Sequence, residues 1–109
     1  MIVVTTPKIA DMKTVRTIGM VQANSVRARH AGRDLMAGLR NLVGGEIGEY
    51  TKLLADSREM AIARMTERAE SMGANAILST RFITAGIMGG AAEILVYGTA
   101  AVVEPKDSD

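Results

Sequence analysis

Residues 49–72, EYTKLLADSREMAIARMTERAESM, decide the fold of this chain. Tyr50, Leu53, Leu54, Ala61, Ile62, Met65, Ala69 and Met72 recur at spacings of three, four and seven, which puts them on one stripe of a long helix. Lys52, Asp56, Glu59, Glu67 and Glu70 fall off that stripe. Lys52 and Asp56 are one helical turn apart and can pair weakly. Gly73 supplies the stop, because glycine takes the left-handed conformation of a helix C-terminus at little cost.

Downstream, Ala76–Thr84 reads as a strand with Ile77 and Leu78 inside. Residues 84–92, TAGIMGGAA, read as a glycine-rich turn, and Glu93–Val103 as a second strand, so the pair forms a β-hairpin. The closing EPKDSD is polar. One domain is therefore expected over residues 1–104, with a disordered tail at 105–109.

Upstream, Arg33–Tyr50 (RDLMAGLRNLVGGEIGEY) carries a shorter helix, His30–Val43, with Leu35, Met36, Leu39, Leu42 and Val43 at helical spacing. Gly32 and Gly38 each weaken it by about 1 kcal/mol relative to Ala, and Gly44-Gly45 ends it. Thr14–Arg27 reads as a long strand. Val15, Thr17, Gly19, Val21, Ala23 and Ser25 share one face, and Arg16, Ile18, Met20 and Gln22 the other. The imperfect alternation suggests cover on both faces, and Gly19 marks a bulge or close approach. Ile2–Thr6 is a short strand stopped by Pro7, suited to a sheet edge. The order strand, strand, helix, helix, strand, strand implies an α+β fold: a largely antiparallel sheet with one short and one long helix packed on it.

Composition narrows the function classes. The 109 residues suit one domain. Hydrophobic residues make up 48% and aromatics 3%, so the core is aliphatic and methionine-rich. That much apolar surface in a short chain favours cover by another subunit. A net charge of +1 with no long charge run gives no nucleic-acid or membrane footprint. No window reaches the roughly 18 apolar residues of a membrane span, and the N-terminus lacks signal-peptide features. A bacterial cytoplasm is the expected setting.

Candidate site residues concentrate between Arg33 and Tyr50. Arg33, Asp34 and Arg40 lie on the first helix, and Gly44, Gly45 and Gly48 precede the long one, whose N-terminal amides can hold an anion. The plainer reading is an ion pair across a subunit interface, with the glycines making a tight helix-to-helix connection. The segment lacks the Gly-Lys-Ser/Thr ending of a phosphate-binding loop. Tyr50 either packs against the first helix or lines a small pocket. His30 is the single histidine and cysteine is absent. A metal site gathers three or four donors, with imidazole or thiolate as the soft ones, so no metal or other cofactor is expected, and His30 is the one weak metal candidate. Symmetry in an oligomer could still gather copies of one side chain about an axis. Met60, Met65 and Met72 are expected in the core, while Met88 in the glycine-rich turn suggests a loop tip or subunit contact. No catalytic constellation can be assigned, so an enzyme is not expected.

The run RDLMAGLRNLVGGEIGEY, followed by SREMAIARM, MGANAIL and YGTAAVV, resembles the YbjQ family, small bacterial proteins often labelled heavy-metal-binding. The resemblance runs from the Thr-Thr-Pro near the N-terminus to Val103. It puts Arg33, Asp34, Ala37, Gly38, Arg40, Gly44, Gly45, Gly48 and Tyr50 on family motif positions, and further on Arg58, Gly73, Ala74, Ala76, Gly98, Thr99 and Ala100. The chain departs at Glu46, where a basic residue is common, at Ala101, where Val is common, and in its glycine- and alanine-rich run between the last strands. The resemblance implies a dodecin-like subunit assembling into a homo-oligomeric, pentameric ring. The expected subunit contacts are the short N-terminal strand and the glycine-rich hairpin. Three functions remain open: an oligomeric binding or scaffold module with its site at an interface near Arg33–Tyr50, a heavy-metal-binding protein, and an enzyme acting on an unknown small molecule.

Overall fold

The computed structural model describes residues 1–26, 47–87 and 91–107. The expected first helix, His30–Val43, and Met88 lie outside these residues. Within them are strands β1 (Ile2–Val3) and β2 (Met12–Val26), helix α1 (Ile47–Ser71), and strands β3 (Ala76–Ile87) and β4 (Ala91–Pro105). The four strands form one sheet in the order β1-β3-β4-β2. β4 runs antiparallel to both neighbours, whereas β1 lies parallel to β3. The fold is α+β, with a mixed four-stranded sheet that is antiparallel except for the short β1.

The long helix forms as its stripe dictates. Ala61, Met65 and Ala69 are fully buried. They pack on Val21 and Ala23 of β2, Ile77 of β3, and Ile94, Val96 and Ala100 of β4. Met60 and Met72, expected in the core, instead sit exposed at the margins of the stripe. Met60 Sδ accepts a hydrogen bond from the Ser25 hydroxyl at 3.8 Å. The helix stops where expected. Gly73 takes φ +90°, Ala74 N–H donates to Ala69 O at 3.0 Å, and Gly73 N–H donates to Glu70 O at 3.0 Å. These two bonds are the Schellman arrangement, which satisfies carbonyls left over by the last turn.

Bulges break the alternation that the sequence suggests for β2. The register slips between Thr14 and Arg16 and again between Thr17 and Gly19, where Gly19 takes φ +146°. Each slip inserts one residue and turns the following side chains to the other face. Gly19, Val21, Ala23 and Ser25 therefore line the helix face, opposite Ala100, Gly98, Val96 and Ile94. Thr17 falls on the second face, opposite Ala101, and Val15 is exposed in its bulge. Among the described residues, cover on both faces is found at one end of the sheet. There Ala76, Leu78, Ala101 and Val103 pack beneath Val4, Ile9 and Met12 of the N-terminal segment.

The strands of the hairpin are longer than the glycines suggest, since β3 runs to Ile87 and β4 starts at Ala91. Residues 105 and 106 are paired with the start of β2. Pro105 pairs with Met12, and Lys106 N–H donates to Asp11 O at 2.9 Å. The N-terminal strand is paired within the chain. Its hydrogen bonds to β3 continue past Val3, with Val4 N–H to Ile77 O, Thr80 N–H to Val4 O and Ser79 N–H to Thr6 O, all at 3.0 Å. That pairing turns one side of the expected subunit contact inward.

Candidate functional site

Arg33, Asp34, Arg40, Gly44 and Gly45, together with the metal candidate His30, lie outside the described residues. Tyr50 falls in the first turn of α1, which starts at Ile47. The described residues point to a different region: the second face of the sheet, beyond the N-terminal segment.

Three rows of side chains cross that face. Met20 lies opposite Thr99, which lies opposite Leu78. Gln22 lies opposite Tyr97, which lies opposite Arg81. Asn24 lies opposite Leu95, which lies opposite Ile83. Cross-strand partners share a face, so Tyr97 sits in the middle strand flanked by an amide and a guanidinium. Met20 is 69% exposed and Ile83 49%. Thr99, Tyr97 and Leu95 are half-buried. This part of the sheet is apolar at its margins and polar across its centre. Leu78 lies in the cluster beneath the N-terminal segment, whereas Met20 and Ile83 at the two margins are open to solvent.

Arginines manage the surroundings. Arg81 Nη1 donates to Thr5 O at 2.8 Å and to Thr80 O at 2.9 Å, which ties the N-terminal segment to β3. On the far side of the sheet, Arg68 Nη1 donates to Gln22 O at 2.7 Å and Arg64 Nη1 to Asn24 O at 2.9 Å. Gln22 and Asn24 belong to β2, an edge strand. Two helix arginines one turn apart thus occupy carbonyls that an added strand would use.

The second tyrosine and these three arginines do not stand out in the sequence. Arg64 and Arg68 read as ordinary solvent-facing helix charges. Only the placement of α1 over β2 shows what they reach.

A metal centre is not supplied by this part of the chain. Among the described residues no three of the histidine, cysteine, aspartate and glutamate side chains converge. The whole chain has no thiolate and one imidazole to offer. Among the described residues no helix is long and apolar enough to cross a membrane.

The fold and surfaces define a small α+β protein with a half-covered sheet and a single long helix among the described residues. The profile of the YbjQ family, described as "Putative heavy-metal-binding", matches residues 1–104. The chain belongs to that family. It is 50% identical over 103 residues to a UPF0145 protein of Methanosarcina acetivorans, covering 94% of this chain and 97% of the relative. It is 50% identical over 104 residues to a UPF0145 protein of Thermus thermophilus, covering 95% and 91%. A UPF0145 protein of Pyrococcus horikoshii is 52% identical over 103 residues, covering 94% and 88%. The relatives include archaea, so the family is not restricted to bacteria. A crystal structure of a protein of unknown function from Pediococcus pentosaceus, assigned to the DUF74 family, shares the fold. Its TM-score is 0.63 at 14% identity, over 95% of this chain and 98% of that one.

Proposed function

We propose that this YbjQ-family member is a binding or scaffold module, not an enzyme, that works as a homo-oligomer. The ring we favour is pentameric, in the cytoplasm, with a ligand site at a subunit interface near Arg33–Tyr50. The apolar side chains that the described residues leave exposed on the second sheet face carry the oligomer reading. A surface with Met20, Ile83, Leu95 and Tyr97 together is more apolar than an isolated small domain usually leaves to water. Shape supports the same reading. The radius of gyration is 17.5 Å and the extents are 61 × 24 × 16 Å, against about 13 Å for a compact chain of 100 residues. An elongated subunit leaves much surface to be covered by neighbours.

The ligand site rests on the sequence. Arg33, Asp34 and Arg40 precede Gly44-Gly45, and the amides of Ile47–Tyr50 open α1. Arg33→Ala and Tyr50→Phe test it. Loss of assembly or of a co-purifying ligand supports the location, and no change in either removes it.

Metal binding is the second reading, favoured by the description of the family profile. The described residues do not gather donors and the chain holds one histidine and no cysteine; symmetry could supply a site by bringing together copies of one side chain, with His30 the first candidate. Equilibrium dialysis of the wild type and His30→Ala against Zn, Cu, Ni and Cd tests it. Metal retained by the wild type and lost in His30→Ala supports the reading; no retained metal removes it.

A further inference from the structure

We propose that Met60 is an oxidation site: a hydroperoxide converts its thioether to one sulfoxide epimer in excess, and the change unfastens α1 from the end of β2. The proposal does not depend on the oligomeric or ligand readings above.

Three side chains, each one turn apart on α1, fasten the helix to β2. Arg68 Nη1 donates to Gln22 O at 2.7 Å, and Arg64 Nη1 to Asn24 O at 2.9 Å. Met60 Sδ continues the row by accepting from the Ser25 hydroxyl at 3.8 Å. Ser25 lies one residue from the end of β2, so the Met60 contact is the last fastening before the chain leaves the strand. Two of the three contacts are guanidiniums on carbonyls, which peroxide does not alter. The third is a thioether, which it does.

Burial makes that third contact sensitive. Ser25 is 1% exposed, so its hydroxyl depends on the sulfur, a weak acceptor. Met60 is 37% exposed, so an oxidant in water reaches it, whereas Met65 at 0% is closed off. Met20 is more exposed but stands on the sheet face away from α1.

The chemistry is a two-electron oxygen transfer. A sulfur lone pair attacks one oxygen of hydrogen peroxide. The S–O bond forms as the O–O bond breaks. The departing hydroxide takes the proton from the transferred oxygen and leaves as water, so the sulfur is oxidised and the peroxide reduced. A thioether has two lone pairs, and the Ser25 hydroxyl holds one of them. Attack through that pair first breaks a hydrogen bond, which disfavours it by about threefold to tenfold. The oxidised sulfur is electron-poor, and the new oxygen is on its other side. The buried Ser25 hydroxyl then loses its acceptor, and the end of β2 loses its hold on the helix.

The test exposes the full-length wild type, Met60→Leu and Ser25→Ala to hydrogen peroxide. Trypsin cuts after Arg58 and Arg64, so residues 59–64 carry Met60 as their sole methionine, and residues 65–68 carry Met65 as the buried control. Mass spectrometry reads the added oxygen, and the two sulfoxide reductases, one for each epimer, read the stereochemistry of the released fragment. The expected result is oxygen on 59–64 and none on 65–68, with one epimer in about threefold to tenfold excess in the wild type. Ser25→Ala should give equal epimers. After oxidation the wild-type melting temperature should fall by about 4–8 °C more than that of Met60→Leu, which shares the other methionines. Met60 left unmodified once Met20 is fully oxidised overturns the proposal. So do equal epimers in the wild type, an undiminished excess in Ser25→Ala, or an equal fall in Met60→Leu. Should Ser25→Ala fail to fold, the wild-type epimer ratio and the comparison with Met60→Leu decide.

Discussion

Asn75 closes the sheet on Val103 with its side chain. Its Nδ2 donates to Val103 O at 2.9 Å, and its Oδ1 accepts from Val103 N–H at 2.8 Å. The carboxamide acts as one more residue of strand, at the point where β3 has not yet begun and the chain is still leaving α1. Its own amide N–H donates to Ala101 O at 3.1 Å. Gly73, Ala74 and Asn75 therefore turn the chain from helix to strand within three residues.

Asn75→Ala leaves both polar groups of Val103 without that partner and costs about 1–3 kcal/mol. Asn75→Asp keeps the acceptor but sets a carboxylate against the Val103 carbonyl, and is expected to be no more stable than Asn75→Ala at neutral pH. Urea unfolding of both variants checks this. An unchanged midpoint for Asn75→Ala would mean that water replaces the pair at no cost.

Gly98 sits opposite the β3 bulge, where two residues of β3 face one of β4. A Cβ there would stand 2.6 Å from Ile77 Cγ2, 3.0 Å from Leu78 O and 3.2 Å from Thr80 Oγ1. One of those contacts is backbone and cannot swing aside. Gly98→Ala should cost about 1–3 kcal/mol through overpacking, read as a lowered melting temperature in calorimetry.

Thr80 Oγ1 is buried in that same bulge without a hydrogen-bond partner. Thr80→Val replaces an unsatisfied hydroxyl with a methyl group of similar size, so stability should hold or rise by about 1 kcal/mol. A clear loss in denaturant unfolding would mean that the hydroxyl is satisfied in solution.

Arg64 and Arg68 contribute little as exposed side chains. Arg64→Ala/Arg68→Ala should change stability by about 1 kcal/mol or less. The larger effect is on association, because two carbonyls of an edge strand become available. Static light scattering should show heavier species than the wild type at equal concentration. An unchanged mass would mean that the two arginines do not guard the edge.

Much of the fold is legible in the sequence. The stripe through Ala61, Met65 and Ala69 and the stop at Gly73 define α1, because helix periodicity is a local signal. The hairpin and the bulge at Gly19 also follow from local pattern. The faces of β2 do not, since two bulges turn Val15 and Thr17 away from the phase set by Val21 and Ala23, and a bulge depends on the partner strand. The parallel pairing of β1 is hidden for the same reason. Tyr97, Arg81, Arg64 and Arg68 gain their meaning only from register and helix placement. Asn75 sits between the family-like positions Ala74 and Ala76, and only its reach to Val103 distinguishes it.

Assembly is the central claim, and native mass spectrometry of untagged wild-type protein tests it most directly. The subunit mass is 11.6 kDa. We predict a single closed species at an integer multiple of that mass, with five copies as the expected number. A species at the mass of one subunit, unchanged as concentration rises, would contradict the account.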